Sequence, residues 1–250
     1  MARISLGQFI LGGAALFLPA AALAQDGASW DRARSNLVAQ GPGRMAPVIA
    51  QWEYLTARDN LGFSDYANFV TSYPDFPKAE LLRRRAEAAL ERSSPSPEQL
   101  AAYFAKAPPL TNPARARHAL ALATLNRPEA FAVARAAWRG GAMSGPDEIY
   151  LAGRYGGRFP SDDHAARMDA LMWQNDASGG ARQVLRLSGA ARDTGMARLA
   201  LVQGQLPEAA GLIVPAGALS DPGYVYNLSR YHRTRGSLPG AIALLASRPR

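Results

Sequence analysis

Apolar side chains recur at three- and four-residue spacing along most of the chain, and no stretch alternates with period two. Trp30, Ala33 and Leu37 share one helical face. So do Val48, Ile49, Trp52 and Leu55, and then Tyr66, Phe69, Val70 and Tyr73. This is the spacing of short amphipathic helices rather than of strands. The pattern continues through Leu81, Leu82, Ala86, Ala89 and Leu90, which places Arg83, Arg84 and Glu87 on the flanks and outer side of that helix.

Start and stop signals punctuate the pattern. Ser96-Pro97, Asn112-Pro113 and Asp221-Pro222 each pair a side-chain acceptor at the cap with a proline in the first turn. Pro128, Pro146, Pro207 and Pro239 stand where further helices are expected to begin. Gly140-Gly141, Gly156-Gly157, Gly179-Gly180 and Gly189 are expected stops. The prediction is an all-α chain of roughly a dozen helices of about 8–14 residues.

Two late segments resemble copies of one unit. "ARLALVQGQLPEAAGLI" from Ala197 and "LSRYHRTRGSLPGAIALLA" from Leu228 each read as helix, glycine, turn, proline and alanine-rich helix. Pro207 and Pro239 are 239 − 207 = 32 residues apart, close to the ~34-residue period of tetratricopeptide-like helical hairpins. A looser copy is "ALALATLNRPEAFAVARAAW" from Ala119. The expected architecture is a superhelical array of short helix pairs, an α-solenoid.

The first 24 residues carry a different pattern. Arg3 supplies a positive start, Phe9 to Leu18 an apolar core, and Ala22-Leu23-Ala24 a small-residue cleavage site before Gln25. This is the layout of a secretory signal peptide. Its apolar run is too short to span a bilayer. Residues 1–24 are thus expected to be a cleaved leader and residues 25–250 a periplasmic α-superhelical domain of 250 − 24 = 226 residues.

Composition narrows the chemistry. There is no cysteine, hence no disulfide staple and no thiolate chemistry. Only Lys78 and Lys106 are lysines, so 28 − 2 = 26 of the basic residues are arginines, spread from Arg32 to Arg250 beyond the leader. A formal net charge of +8 favours contact with anionic surfaces. Its even spread argues against the clustered stripe of a nucleic-acid binder, and no nucleic-acid partner is expected.

Candidate chemistry is sparse. His118, His164 and His232 form no metal-ligand spacing, and no nucleophile elbow or phosphate loop occurs. The strongest cluster is "PSDDHAARMDALMW" at 160–173, where Asp162, Asp163 and His164 suggest an acid/base group. The simpler account caps a helix with Ser161 and sets two aspartates against its positive end. Trp52, Tyr54, Trp138 and Trp173 are the aromatic platforms on which a sugar could stack, although each lies in or beside an apolar stripe. Glu53, Glu87 and Glu148 sit near arginines, which would lower their pKa values. No catalytic residue, cofactor or metal ligand is assigned.

Three segments together resemble a known family. They are "FSDYANFVTSYPDFPKAELLRRRAEAAL" at 63–90, "LAAYFAKAPPLTNPARARHALALATLNRPEAFAVARAAWRGG" at 100–141, and "DEIYLAGRYGGRFPSDDHAARMDALMWQNDASGGARQVLRL" at 147–187. The F-x-x-x-Y-P-x-F-P corner with its L-R-R-x-A-E helix, the A-W-R ending and the D-H-x-x-R-x-D-x-L-x-W run are similar to the N-terminal superhelical region of soluble lytic murein transglycosylases. The resemblance implies a periplasmic setting and peptidoglycan glycan strands as the partner. In that family the bond between N-acetylmuramic acid and N-acetylglucosamine is cut without water, leaving a 1,6-anhydro sugar. The catalytic glutamate belongs to a separate lysozyme-like domain, marked by E-S-x-F/Y and G-x-M-Q. Neither motif occurs in these 250 residues, so the region is expected to be truncated at its C-terminal end and inactive alone. The alternative is a free-standing periplasmic helical-repeat module that holds a protein partner in its concave face.

Overall fold

The computed structural model describes residues 45–246 and a few isolated positions before them. The expected leader at 1–24 and the face of Trp30, Ala33 and Leu37 lie outside the described residues. The chain divides into two compact units, residues 1–53 and 54–250. Everything below concerns the second unit, apart from the start of its first helix.

The described residues are all-helical, with twelve α-helices and no strand among them. They are α1 (Met45–Thr56), α2 (Phe63–Ser72), α3 (Ala79–Ala89), α4 (Pro97–Lys106), α5 (Asn112–Thr124) and α6 (Ala130–Arg139). They continue as α7 (Gly145–Tyr155), α8 (Ser161–Trp173), α9 (Ala177–Gln183), α10 (Gly189–Val202), α11 (Pro222–Thr234) and α12 (Leu238–Ala246). None is long and apolar enough to cross a membrane.

Local chemistry sets most boundaries. Ser96 accepts from Gln99 N while the Gln99 side chain accepts from Ser96 N, and Pro97 opens α4. This reciprocal box satisfies two amides that a bare helix end leaves without partners. Ser144 and Asp221 cap α7 and α11 by accepting from Asp147 N and Tyr224 N, without the reciprocal bond. Gly141, at φ 89, follows the end of α6 in the left-handed conformation that glycine tolerates.

Several sequence expectations need correction, among them Gly189, which opens α10 rather than ending a helix. Thr111, not Asn112, caps α5 by accepting from Ala114 N. Asn112 instead reaches across to the carbonyls of Ala137 and Ala142, at 3.0 Å each. Gly179 and Gly180 do not end a helix but lie inside α9, where a Cβ on Gly180 would meet Met172 Cε at 2.4 Å. The residues after Pro207 make only turns, and Gly211 at φ 71 stops them from propagating. Of the two apparent copies, therefore, only the one containing α11 and α12 forms a full helical pair.

Packing runs between sequence neighbours and next neighbours. Helix α5 packs on α4, α6 and α7, while α8 packs on α6, α9, α10 and α11. One core cluster is built on alanine: Ala116, Ala119 and Ala123 of α5 face Ala130, Ala134 and Ala137 of α6. Small side chains let the axes approach, and Trp138, Leu151, Tyr155 and Phe159 fill what remains. The Tyr73 to Pro77 corner is packed by aromatic edges, with Phe69 and Phe76 centroids 5.4 Å apart at 88°.

Arginines brace these neighbours. Arg85 of α3 donates to the carbonyls of Leu55 and Thr56 at the end of α1, at 2.7 and 2.9 Å. Arg154 of α7 reaches Ala123 O near the end of α5. Arg235 reaches Gly204 O just past α10. These bonds span 29 to 31 residues. Cations at helix C-terminal carbonyls satisfy free acceptors and complement the dipole. A guanidinium has the reach and the several fixed donors to do so across a neighbouring helix, as a lysine does not. Of the three consecutive arginines, Arg83 follows the same logic as Arg85, donating to Pro108 O, whereas Arg84 pairs with Glu80 of its own helix, 2.8 Å away.

Candidate functional site

Two of the motifs that carry the resemblance, the A-W-R ending and the D-H-x-x-R run, meet where α6, α7, α8 and α9 come together. Trp138, fully buried, stacks on Phe159 with centroids 5.1 Å apart and planes 20° off parallel. The Arg167 guanidinium lies over its ring at 4.2 Å. The indole Nε1 donates to His164 Nδ1 at 3.2 Å, so this is the bare nitrogen of a neutral imidazole. Trp138 therefore belongs to the core and not to a sugar platform.

Asp163 does not serve the helix end. Pro160 occupies the cap position of α8, Ser161 makes no capping bond, and the Asp163 carboxylate is fully buried. Its two oxygens accept from Arg135 Nε at 2.6 Å and Arg139 Nη1 at 2.7 Å, both from α6. Burial pushes its carboxyl up, but the hydrogen bonds and charges of Arg135 and Arg139 outweigh that and hold it below the ordinary aspartate value. Asp162 remains exposed. Asp163 and His164 thus share the site, yet neither has the environment of an acid catalyst.

Glu148 closes the other side. It receives Arg182 at 2.8 Å and Arg167 at 3.2 Å. Burial raises its carboxyl, but the Arg182 hydrogen bond and the charges of Arg167, Arg182 and Arg186 bring it below the usual glutamate range. Arg167 Nη1 also donates to Gly141 O at 2.7 Å, while its buried Nε has no hydrogen-bond partner among the described residues. The sequence gives no direct sign of this pairing, because Glu148 follows Ser144-Gly145-Pro146 and resembles an acid placed to oppose a helix dipole.

A second pair of carboxylates lines a cleft of about 310 Å³ between α3, α5 and α7. Glu87, expected on the outer side, is buried, and its two oxygens accept from Leu110 N and Thr111 N at 2.7 Å each. Asp147 is likewise buried, accepting from Ser144 Oγ at 2.6 Å and from Arg117 at 3.0 Å. Both groups are fully engaged in holding the chain entry to α5 and the start of α7. Neither Glu87 nor Asp147 is free to donate a proton, while Glu91, on the same lining, is exposed to solvent.

The remaining candidates are scattered. His118 packs on Phe104 and His232 beside Tyr231. Among the described residues, no group of three histidine, aspartate or glutamate side chains is gathered for a metal. Trp52 is half-buried, and Tyr54 is exposed with Arg58 over its ring. Trp173 is 42% exposed and stacks on Tyr226, centroids 4.6 Å apart. It forms the wall of an open apolar groove with α11 and α12. Tyr226 was not singled out by the sequence, since its partnership with Trp173 spans fifty-odd residues.

These arrangements bind and brace; among the described residues none presents a raised acid beside a nucleophile or a base. Comparison with known proteins adds no relative: no family model, no curated protein and no solved structure matches the chain.

Proposed function

We propose that the chain is the superhelical region of a soluble lytic murein transglycosylase, a periplasmic, tetratricopeptide-like stack of helix pairs that holds peptidoglycan glycan strands and does not itself cut them. The observation that carries this reading is the convergence of two of the motifs. Trp138 and Arg139 of the A-W-R ending meet Asp163, His164 and Arg167 of the D-H-x-x-R run in one bonded cluster. The last aspartate of that run, Asp169, pairs with Arg198 of α10. The pattern is one that a brace between packed helices requires, which is the role such residues have in a helical array.

The carboxylates support a holding role over a cutting one. Protonating a glycosidic oxygen needs a carboxylic acid with a raised pKa. Asp163 and Glu148 are shifted the other way, and Glu87 and Asp147 are committed to structural bonds. The positive net charge gives the chain an attraction to the anionic wall, screened by salt. Co-sedimentation of the purified chain with isolated sacculi tests the reading. Binding that weakens between low and high salt is expected. Failure to sediment with sacculi at low salt overturns it.

A further inference from the structure

The groove walled by Trp173 lies apart from the braced cluster and has a different character. It runs between the end of α8 and the α11/α12 pair, with a volume of about 440 Å³. Leu238, Ile242 and Leu245 of α12 line it and are 57, 64 and 55% exposed. They follow i, i+4, i+7 spacing, so they form a continuous apolar stripe along one side of the helix. Tyr226, stacked on Trp173, stands opposite. Nine residues of α12 give a stripe about 13 Å long, roughly the reach of a short helix.

The rim supplies the charge. Arg230 and Arg233, three residues apart on α11, line the groove, and among the described residues neither side chain has an ion-pair or hydrogen-bond partner. They differ from Arg135, Arg139, Arg167, Arg182 and Arg198, which are all paired, and from other unpaired arginines such as Arg127 and Arg192 in standing beside an apolar groove. An apolar floor beside two free guanidinium groups is complementary to an amphipathic helix with acidic residues along its flank.

We propose that this groove docks an acidic amphipathic helix from a partner protein, whether or not the chain also holds glycan. Charge selects this occupant over the others. An isologous second copy would bring Arg230 and Arg233 against the same basic face. Residues 1–44 of this chain carry two aspartates, Asp26 and Asp31, against Arg3, Arg32, Arg34 and Arg44, so they lack the required sign. A sugar ring needs polar partners around its rim, whereas most of the lining is aliphatic or aromatic.

The test uses two labelled helical peptides of about 18 residues with the same leucine stripe, one flanked by glutamates and the other by lysines. Fluorescence anisotropy with the intact chain is expected to show the acidic peptide binding at least about tenfold tighter, with the advantage shrinking as salt is added. Ile242→Glu is expected to abolish binding while thermal unfolding stays unchanged, because the residue is largely exposed. Leu245→Glu reads the same face independently if one variant misfolds. Replacing both Arg230 and Arg233 with Glu is expected to reverse the preference. Equal affinity for the two peptides, or unchanged binding in the Glu variants, overturns the proposal. So does a monomer–dimer equilibrium that Ile242→Glu abolishes, which would assign the face to a second copy.

Discussion

The Arg167 guanidinium lies 4.2 Å from the centre of the Trp138 indole ring and donates to Gly141 O at 2.7 Å. One side chain thereby joins α8 to the core of α6, to the carbonyl beyond its end, and to Glu148 of α7. The guanidinium is planar, so it stacks on the indole face while its edge donates in-plane. Removing it would leave Gly141 O without this donor and open a void over the indole. Arg167→Ala is expected to lower unfolding free energy by about 3 kcal/mol, within the range for a broken buried pair. Arg167→Lys should recover only part of this loss, as an ammonium offers no flat face. Urea unfolding distinguishes the two, and a Lys variant as stable as the parent would contradict the stacking role.

Glu87 offers a second check on how the array is held. Both carboxylate oxygens accept backbone amides, from Leu110 and Thr111, where the chain turns into α5. Glu87→Ala strands two donors and is expected to cost about 2–6 kcal/mol, at about 1–3 for each buried group left unpaired. Glu87→Gln keeps one acceptor oxygen and is expected to fall between. Amide hydrogen exchange at Leu110 and Thr111 reports the same loss locally. Unchanged protection at both in Glu87→Ala would contradict the assignment.

Much of this architecture is legible in the sequence, and the exceptions share a cause. The Ser96 and Asp221 caps follow from residues within one turn, so local chemistry fixes them. Asn112 and Glu87 defeat the same logic because their partners lie more than twenty residues away, on helices whose register no local pattern specifies. Asp163 is the clearest case. A first-turn aspartate suits a helix dipole, and only the packing of α8 on α6 shows that Arg135 and Arg139 claim it instead. The apparent repeat at Pro207 fails for the opposite reason: a proline start was present, but the glycine at 211 prevents the turn from extending.

Acid should loosen the fold in two stages. His164 is held below its ordinary pKa by burial, then by the Arg186 charge, with Arg167 adding to this and Asp163 opposing. Its Nδ1 also faces the Trp138 indole N–H and lies 3.4 Å from Gln183 Nε2. His118 is lowered by burial, with Glu129 opposing. Below about pH 6.5 the unfolded chain takes up protons that the folded chain refuses, so stability falls as pH decreases. Asp163 and Glu148 are lowered too, and their contribution is present above about pH 4 and lost as pH falls further. Denaturant midpoints between pH 8 and 3 are expected to show both declines. His164→Gln, which keeps an acceptor for the indole, should shrink the first and leave the part due to His118. A profile flat from pH 7 to 5 would contradict the neutral, indole-bonded imidazole.

The most direct measurement of the central claim is chromatography of the soluble products after sacculi are incubated with the purified chain. Asp163, Glu148, Glu87 and Asp147 are either held below their ordinary pKa or spent on structural bonds, and the motifs of the catalytic domain are not among these 250 residues. The expected result is a chain that sediments with sacculi and releases no 1,6-anhydro muropeptides. Release of anhydro products that tracks with the chain through purification would contradict the account of a region that holds glycan without cutting it.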